Sequence, residues 1–227
     1  MSTNREEKVK VWPCTVELFE KKAYDAKRVY KNYTEWRGRA VIINNVSFDN
    51  EFSLDRKGTE VDVEYLKSLF RQLHYLVLKH DNLTAEAIDQ LATREARTDH
   101  SAYSSFIMVI LSHGGENTVI GTDGYHIGYD QILAHFEASR CPTLNGKPKM
   151  FFISACQGIQ KAPLFNTEQA PPRPQDRETP EKADMILVTS TTRGDKSWRS
   201  TERGTFFIQC LVKSSRKEHV TPNYLIY

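Results

Sequence analysis

Cys156 closes the run Lys149-Met150-Phe151-Phe152-Ile153-Ser154-Ala155-Cys156-Gln157-Gly158, in which consecutive apolar residues give way abruptly to a small residue, a thiol and a glycine. That pattern puts a nucleophile at the tip of a buried strand. Upstream, Ser105 to Leu111 reads as a second buried strand, and it too stops on a reactive group, in Ser112-His113-Gly114-Gly115. In open parallel sheets chemistry collects outside the carboxyl ends of the strands, so a Cys and a His that end two strands can meet there. The chemistry such a pair suits is cysteine hydrolysis. The thiolate attacks a carbonyl, and an imidazole stabilises it and later protonates the leaving amine. Gly114 adds a third part, because a tetrahedral oxyanion must be met by backbone N–H groups at close approach. The amides of Gly114 and Cys156 can supply them.

Either residue alone has a plainer reading. A Cys that ends a buried strand is usually a small core residue, and a His beside glycines usually belongs to a turn. Together, and inside Ser154-Ala155-Cys156-Gln157-Gly158, they resemble the caspase active-site pentapeptide Q-A-C-x-G. The resemblance continues in chain order. Tyr30 to Asn45, ending Ala40-Val41-Ile42-Ile43-Asn44-Asn45, is similar to the first caspase strand and its approach. Arg56-Lys57-Gly58-Thr59-Glu60-Val61-Asp62 resembles R-x-G-T-D-x-D, Ser112-His113-Gly114 matches S-H-G, and Ser197-Trp198-Arg199-Ser200 resembles S-W-R-N. Residues 28 to 212 are covered by it.

The resemblance implies a cysteine endopeptidase that cuts after aspartate in apoptotic proteolysis, with His113 and Cys156 as the dyad and Gly114 as an oxyanion donor. It assigns Arg56 and Arg199 to the P1 carboxylate, a role for which an always-charged, bidentate guanidinium is suited. Ser154 stands where the family has a third pocket group, a glutamine; its side chain is shorter, so weaker affinity for aspartate is expected. Trp198 matches a wall of the substrate cleft and Ser200 completes that motif. Lys196 replaces an expected aromatic at S2, and Phe206 stands where a family Trp often lines an outer subsite.

The same resemblance divides the chain. Residues 1–27 read as a short propeptide, 28–158 as a large-subunit region, 159–183 as the intersubunit linker and 184–227 as a shortened small-subunit region. Five of the nine prolines, Pro163, Pro171, Pro172, Pro174 and Pro180, fall in or beside that linker, which suits an extended connector. Asp176, followed by bulky Arg177, and Asp25, followed by Ala26, are the candidate processing sites, Asp25 the better-looking one. A propeptide this short has no room for a death-fold module, which points to an effector-like zymogen acting downstream of another protease. After Val212 the family continues through a longer helix, a second helix and a strand that pairs across a dimer axis. Here Asn223-Tyr224-Leu225-Ile226-Tyr227 stands in for that strand. Homodimerisation, or pairing with another caspase, is the corresponding partner expectation. The competing reading is a catalytically impaired caspase-like protein that binds and regulates an active caspase. A related peptidase with basic P1 preference would place acidic residues where Arg56 and Arg199 stand.

The elements that must carry these residues are legible in the hydrophobic pattern. Strands are expected to Asn45 and over Tyr75–Lys79, Ser105–Leu111, Met150–Ser154 and Met185–Thr189. Helices are expected over Thr59–Gln72, from Thr84 to about Glu95, and over Tyr129–Ser139 and Thr205–Lys213, with a hairpin at Val119–Ile127. Alternating strands and helices predict a three-layer α/β fold, a mainly parallel sheet with helices on both faces.

Composition agrees with a single domain: 227 residues, 39% hydrophobic, can bury a full core, and no repeat appears. A net charge of +2, with charges interspersed, gives no electrostatic case for nucleic acid. No apolar run is membrane-length and the first residues lack a signal peptide, so a cytoplasmic protein is expected. Cys14, Cys141, Cys156 and Cys210 show no C-x-x-C spacing, which argues against a zinc cluster; no cofactor is expected. His126 and His135 read as hairpin and helix-face residues. The sequons at Asn32, Asn45 and Asn82 read as chance.

Overall fold

The computed structural model describes residues 30, 34–49, 55–156, 180–191, 199–200 and 202–214. Five strands form one parallel sheet: β1 Gly38–Asn44, β2 Tyr75–Asp81, β3 Ser105–Leu111, β7 Lys149–Ser154 and β8 Met185–Thr189, in the order β2-β1-β3-β7-β8. All seven residues of β3 and all six of β7 are buried. That explains their unbroken apolar runs, because a strand covered on both faces has no reason to alternate.

Residue alternation sends the two sides of each strand into two separate cores. On one side Val41, Ile43, Met108, Ile110, Phe151 and Ile153 pack under helices α2 Ala85–Arg97 and α3 Tyr129–Ala134. On the other Ala40, Ile42, Val109, Leu111, Met150 and Phe152 pack under α1 Thr59–Gln72 and α4 Phe206–Ser214. This is the three-layer α/β architecture expected from the sequence.

The helices start where local chemistry allows. The Thr84 hydroxyl accepts from the Ala87 amide at 3.1 Å and caps α2, with Glu86 in the first turn and Arg94 and Arg97 in the last, each sign suited to its end of the helix dipole. At α1 the preceding residue is Gly58 at φ 87°, a left-handed turn that redirects the chain from the Arg56 loop into the helix.

Two expectations are corrected. The helix expected over Tyr129–Ser139 ends at Ala134. The Ala138 amide bonds to the Glu181 carbonyl and the Ser139 amide to the Glu181 carboxylate, each at 2.9 Å, so these donors leave the helical ladder for a segment forty residues away. Phe136 is pulled into a ring cluster with Phe106 at 4.8 Å and Phe151 at 5.2 Å. The hairpin at 119–127 is also wider than expected. Strands β4 Gly114–Gly115, β5 Thr118–Ile120 and β6 His126–Gly128 make a three-stranded antiparallel sheet that begins directly after His113.

The last small ladder, β9 Arg199–Ser200 with β10 Gly204–Thr205, lies against α1. The Asp62 carboxylate accepts from the Thr205 amide at 2.8 and 3.1 Å, and Gly204, at φ 78°, passes so close to Asp62 that a Cβ there would lie 2.1 Å from its oxygen. The expected terminal strand 223–227 lies outside the described residues. No described helix is long and apolar enough to cross a membrane.

Candidate active site

Sheet register determines where the two reactive residues stand. Asn44 of β1 is level with Leu111 of β3, and Leu111 with Ser154 of β7. The Ser112 amide still bonds to the Ser154 carbonyl, at 3.3 Å, so the two chains run on side by side past the last ladder pair. His113 and Cys156 are each two residues beyond that pair. Both are partly exposed, whereas Leu111, Ser112, Ser154 and Ala155 beneath them are 0–2% exposed.

Gly114 sits in the seam between the tips. A Cβ there would lie 2.5 Å from the Thr118 carbonyl oxygen, 2.8 Å from the Ala155 Cβ and 2.9 Å from the Cys156 carbonyl oxygen. Contacts under 3 Å are beyond any side chain, so only glycine lets the His113 loop lie against the Cys156 turn. Gly115 is similarly confined by the His126 ring, 2.9 Å from its would-be Cβ.

The His113 loop is secured from several directions. Its carbonyl accepts from the Ile120 amide at 2.8 Å, and its ring packs on Phe48 with centroids 4.7 Å apart. The Ser112 hydroxyl donates to the Ile120 carbonyl at 2.6 Å and accepts from the Asn45 side-chain amide at 3.2 Å. Below Cys156, the Ala155 carbonyl accepts from the hydroxyls of Ser190 and Thr191 at 3.2 Å each, which ties the thiol's turn to the end of β8.

Arg56 is 4% exposed. Its amide bonds to the Val46 carbonyl at 2.8 Å and its guanidinium donates to the Asn45 carbonyl at 3.1 Å. A buried cation held partly by a carbonyl dipole suits the capture of an anion. Arg199 lies in β9 opposite Thr205. Ser200 is exposed, and its hydroxyl accepts from the amides of Glu202 and Arg203 at 3.3 Å each, an occupation internal to its own turn. The Ser154 side chain is 1% exposed and its Oγ has no hydrogen-bond partner, so the group in the glutamine position ends under the surface. Trp198, Lys196 and the processing candidates Asp25 and Asp176 lie outside the described residues. Phe206 opens α4 with 68% exposure.

Three neighbours of the site carry no functional signal in the sequence. Tyr129 reads there only as a helix start. Its hydroxyl is buried without a partner, and burial first, then the charge of nearby Cys156, pushes its pKa up to about 12. In the sequence Asp62 reads only as part of a motif, and Asn45 only as a strand end and a sequon. Asn45 is 0% exposed and its amide is fully engaged, so this sequon offers no nitrogen to a glycan in the folded chain. His126 and His135 are engaged within the fold, with Thr118 at 2.8 Å and Asp89 at 2.8 Å respectively.

A parallel α/β sheet with helices on both faces, carrying a thiol and an imidazole on adjoining strand ends beside a close-packed glycine, defines the structural class. Residues 37–225 match the caspase domain family model, and the chain belongs to that family. Among curated relatives, mouse caspase-8 is 34% identical over 208 residues, covering 84% of this chain and 43% of that protein. Caspase-3 of Mesocricetus auratus is 38% identical over 176 residues, covering 77% and 63%, and human caspase-10 is 36% identical over 197 residues, covering 83% and 37%. The chain thus spans about half the length of the curated relatives it matches.

Proposed function

We propose that this protein is a cysteine endopeptidase that cleaves peptide bonds after aspartate, in the proteolysis of apoptosis. One observation carries the reading: the register that ends β3 and β7 side by side, closed by a glycine whose Cβ position is 2.9 Å from the Cys156 carbonyl. In the reaction, the Cys156 thiolate adds to the scissile carbonyl carbon. The oxyanion is met by the amides of Gly114 and Cys156. The His113 imidazolium gives its proton to the leaving amine as the C–N bond breaks, and water then hydrolyses the thioester. Arg56 and Arg199 hold the P1 carboxylate, with Ser154, Trp198 and Ser200 shaping the surrounding cleft.

Residues 1–27 form a propeptide-like segment cut after Asp25, and 159–183 the linker between large and small regions, with Asp176 its internal cleavage candidate. The last residues of the linker are anchored on the large-subunit region, by the Glu181 contacts and by Lys182 with Asp130 at 2.8 Å, and the small-subunit region begins with Asp184 accepting from Tyr30 at 2.6 Å, which supports a boundary near 183. Substrates are proteins with a P1 aspartate, the chain pairs with a second copy of itself or with another caspase, and the protein works in the cytoplasm.

The test is hydrolysis of fluorogenic peptides that differ only at P1, Asp against Glu, Ala and Arg, in reducing buffer, before and after linker cleavage by an added protease. Turnover of the Asp peptide alone, abolished by Cys156→Ala, is the expected result. No turnover in either form would remove the enzyme reading and favour a non-catalytic partner of an active caspase.

A further inference from the structure

Asn45 is the first residue beyond β1, completely buried, and it bonds both to the loop of the proposed catalytic histidine and to the proposed pocket arginine. Its amide nitrogen faces three oxygens: the Leu83 carbonyl at 3.0 Å, the Ser112 hydroxyl at 3.2 Å and the Ile120 carbonyl at 3.4 Å. Its amide oxygen accepts from the Leu83 amide at 2.8 Å. The main chain adds two more links, its N–H to the Leu111 carbonyl at 2.9 Å and its carbonyl to the Arg56 guanidinium at 3.1 Å.

These bonds fall into two groups. Those of the side chain reach the residue before His113 and the strand residue that holds the His113 carbonyl, since Ile120 donates to it at 2.8 Å. The main-chain carbonyl holds one nitrogen of the Arg56 guanidinium. A buried amide with donors and acceptors all satisfied is rigid, because breaking any bond leaves an unsatisfied group out of reach of water. A Leu at this place would leave the Leu83 amide without its acceptor and the Ser112 hydroxyl without the amide that donates to it.

We propose that Asn45 is a positioning residue: its side chain holds the His113 loop at the reach required for Cys156, while its carbonyl holds Arg56, so that the group that reads P1 and the group that moves the proton share one support. The inference rests on the proposed roles of His113, Cys156 and Arg56.

The division of bonds makes a specific forecast. Asn45→Ala removes the side-chain group and keeps the carbonyl, so kcat on the Asp peptide falls on the order of 10–100-fold while KM changes little. A second readout does not need turnover. Alkylation of Cys156 by iodoacetamide, followed across pH by mass spectrometry, reports how the imidazole governs the thiol. Asn45→Ala is expected to move that profile in the same direction as His113→Ala. Ile88→Val, which thins the α2 core and touches none of the polar bonds of Asn45, is the control for simple destabilisation and leaves the profile in place. If Asn45→Ala does not fold, Ser112→Ala removes the same link from its other end and gives the same shift. A profile identical to wild type in Asn45→Ala or Ser112→Ala, or an equal shift in Ile88→Val, overturns the inference. Should wild type hydrolyse no peptide, the proposed function fails, and the alkylation profiles still decide the role of Asn45.

Discussion

At the scale of single residues, Gly114 is where one added methyl group should do the most. The Cβ of Gly114→Ala meets two carbonyl oxygens and the Ala155 methyl, all backbone or adjacent to it, so the His113 loop and the Cys156 turn must part. A displacement near 1 Å costs on the order of 100-fold in rate. Peptide hydrolysis by Gly114→Ala is therefore expected to fall by about that factor, with the melting temperature lowered far less than by a core truncation. His113, Cys156 and Gly114 were legible in the sequence because each ends, or follows, an apolar run whose length identifies it as a buried strand. Asn45 was not legible. Its partners at 83, 112 and 120 converge only once β1, β3 and the β4–β6 sheet are assembled, and nothing in the local sequence around it announces that convergence.

At the scale of elements, α1 organises both proposed arginines. Arg56 lies in the loop that enters it, and Asp62 in its first turn accepts from Thr205, the residue opposite Arg199 in the β9–β10 ladder. Asp62→Ala leaves the buried Thr205 amide without its carboxylate, a loss of about 1–3 kcal/mol in stability by denaturant melt. Because the ladder carrying Arg199 loses its tether, KM for the Asp peptide is expected to rise more than kcat falls. Helices α1 and α2 were readable to within a residue or two from their caps and apolar faces. The shortened α3 was not, because the competing acceptor for its would-be amides is Glu181, some forty residues on, at the end of the connector.

At the scale of the molecule, burial holds several ionisable groups in one state. Glu95, 3% exposed at its side chain, forms a bidentate pair with Arg39 at 2.7 and 2.9 Å. Arg39→Ala strands that carboxylate and is expected to cost about 3 kcal/mol. Burial lowers the pKa of His80, His100 and His126 below the ordinary value near 6.5. His100 donates from Nε2 to the Glu95 carbonyl at 2.8 Å, and its buried Nδ1 has no acceptor for a second proton. Below about pH 6.5 the unfolded chain therefore binds more protons than the folded one, and stability declines with acidification. The melting temperature is expected to hold above pH 7 and to fall steadily between pH 6.5 and 5. His100→Gln should flatten that slope, and an unchanged slope in that variant would remove His100 from the account. The layered sheet was foreseeable from alternating apolar runs, whereas the histidine environments were not, since burial at 100 and 126 depends on helices and hairpins from distant parts of the chain.

The central claim is that Cys156, His113 and Arg56 act on one bound peptide. A peptidyl fluoromethylketone with aspartate at P1, incubated with the protein and read by intact and peptide mass spectrometry, tests it directly. One equivalent is expected on Cys156, lost in His113→Ala and strongly slowed in Arg56→Ala, with an arginine-bearing analogue unreactive. Labelling spread over Cys141 and Cys210, or equal labelling by the arginine analogue, would contradict the account.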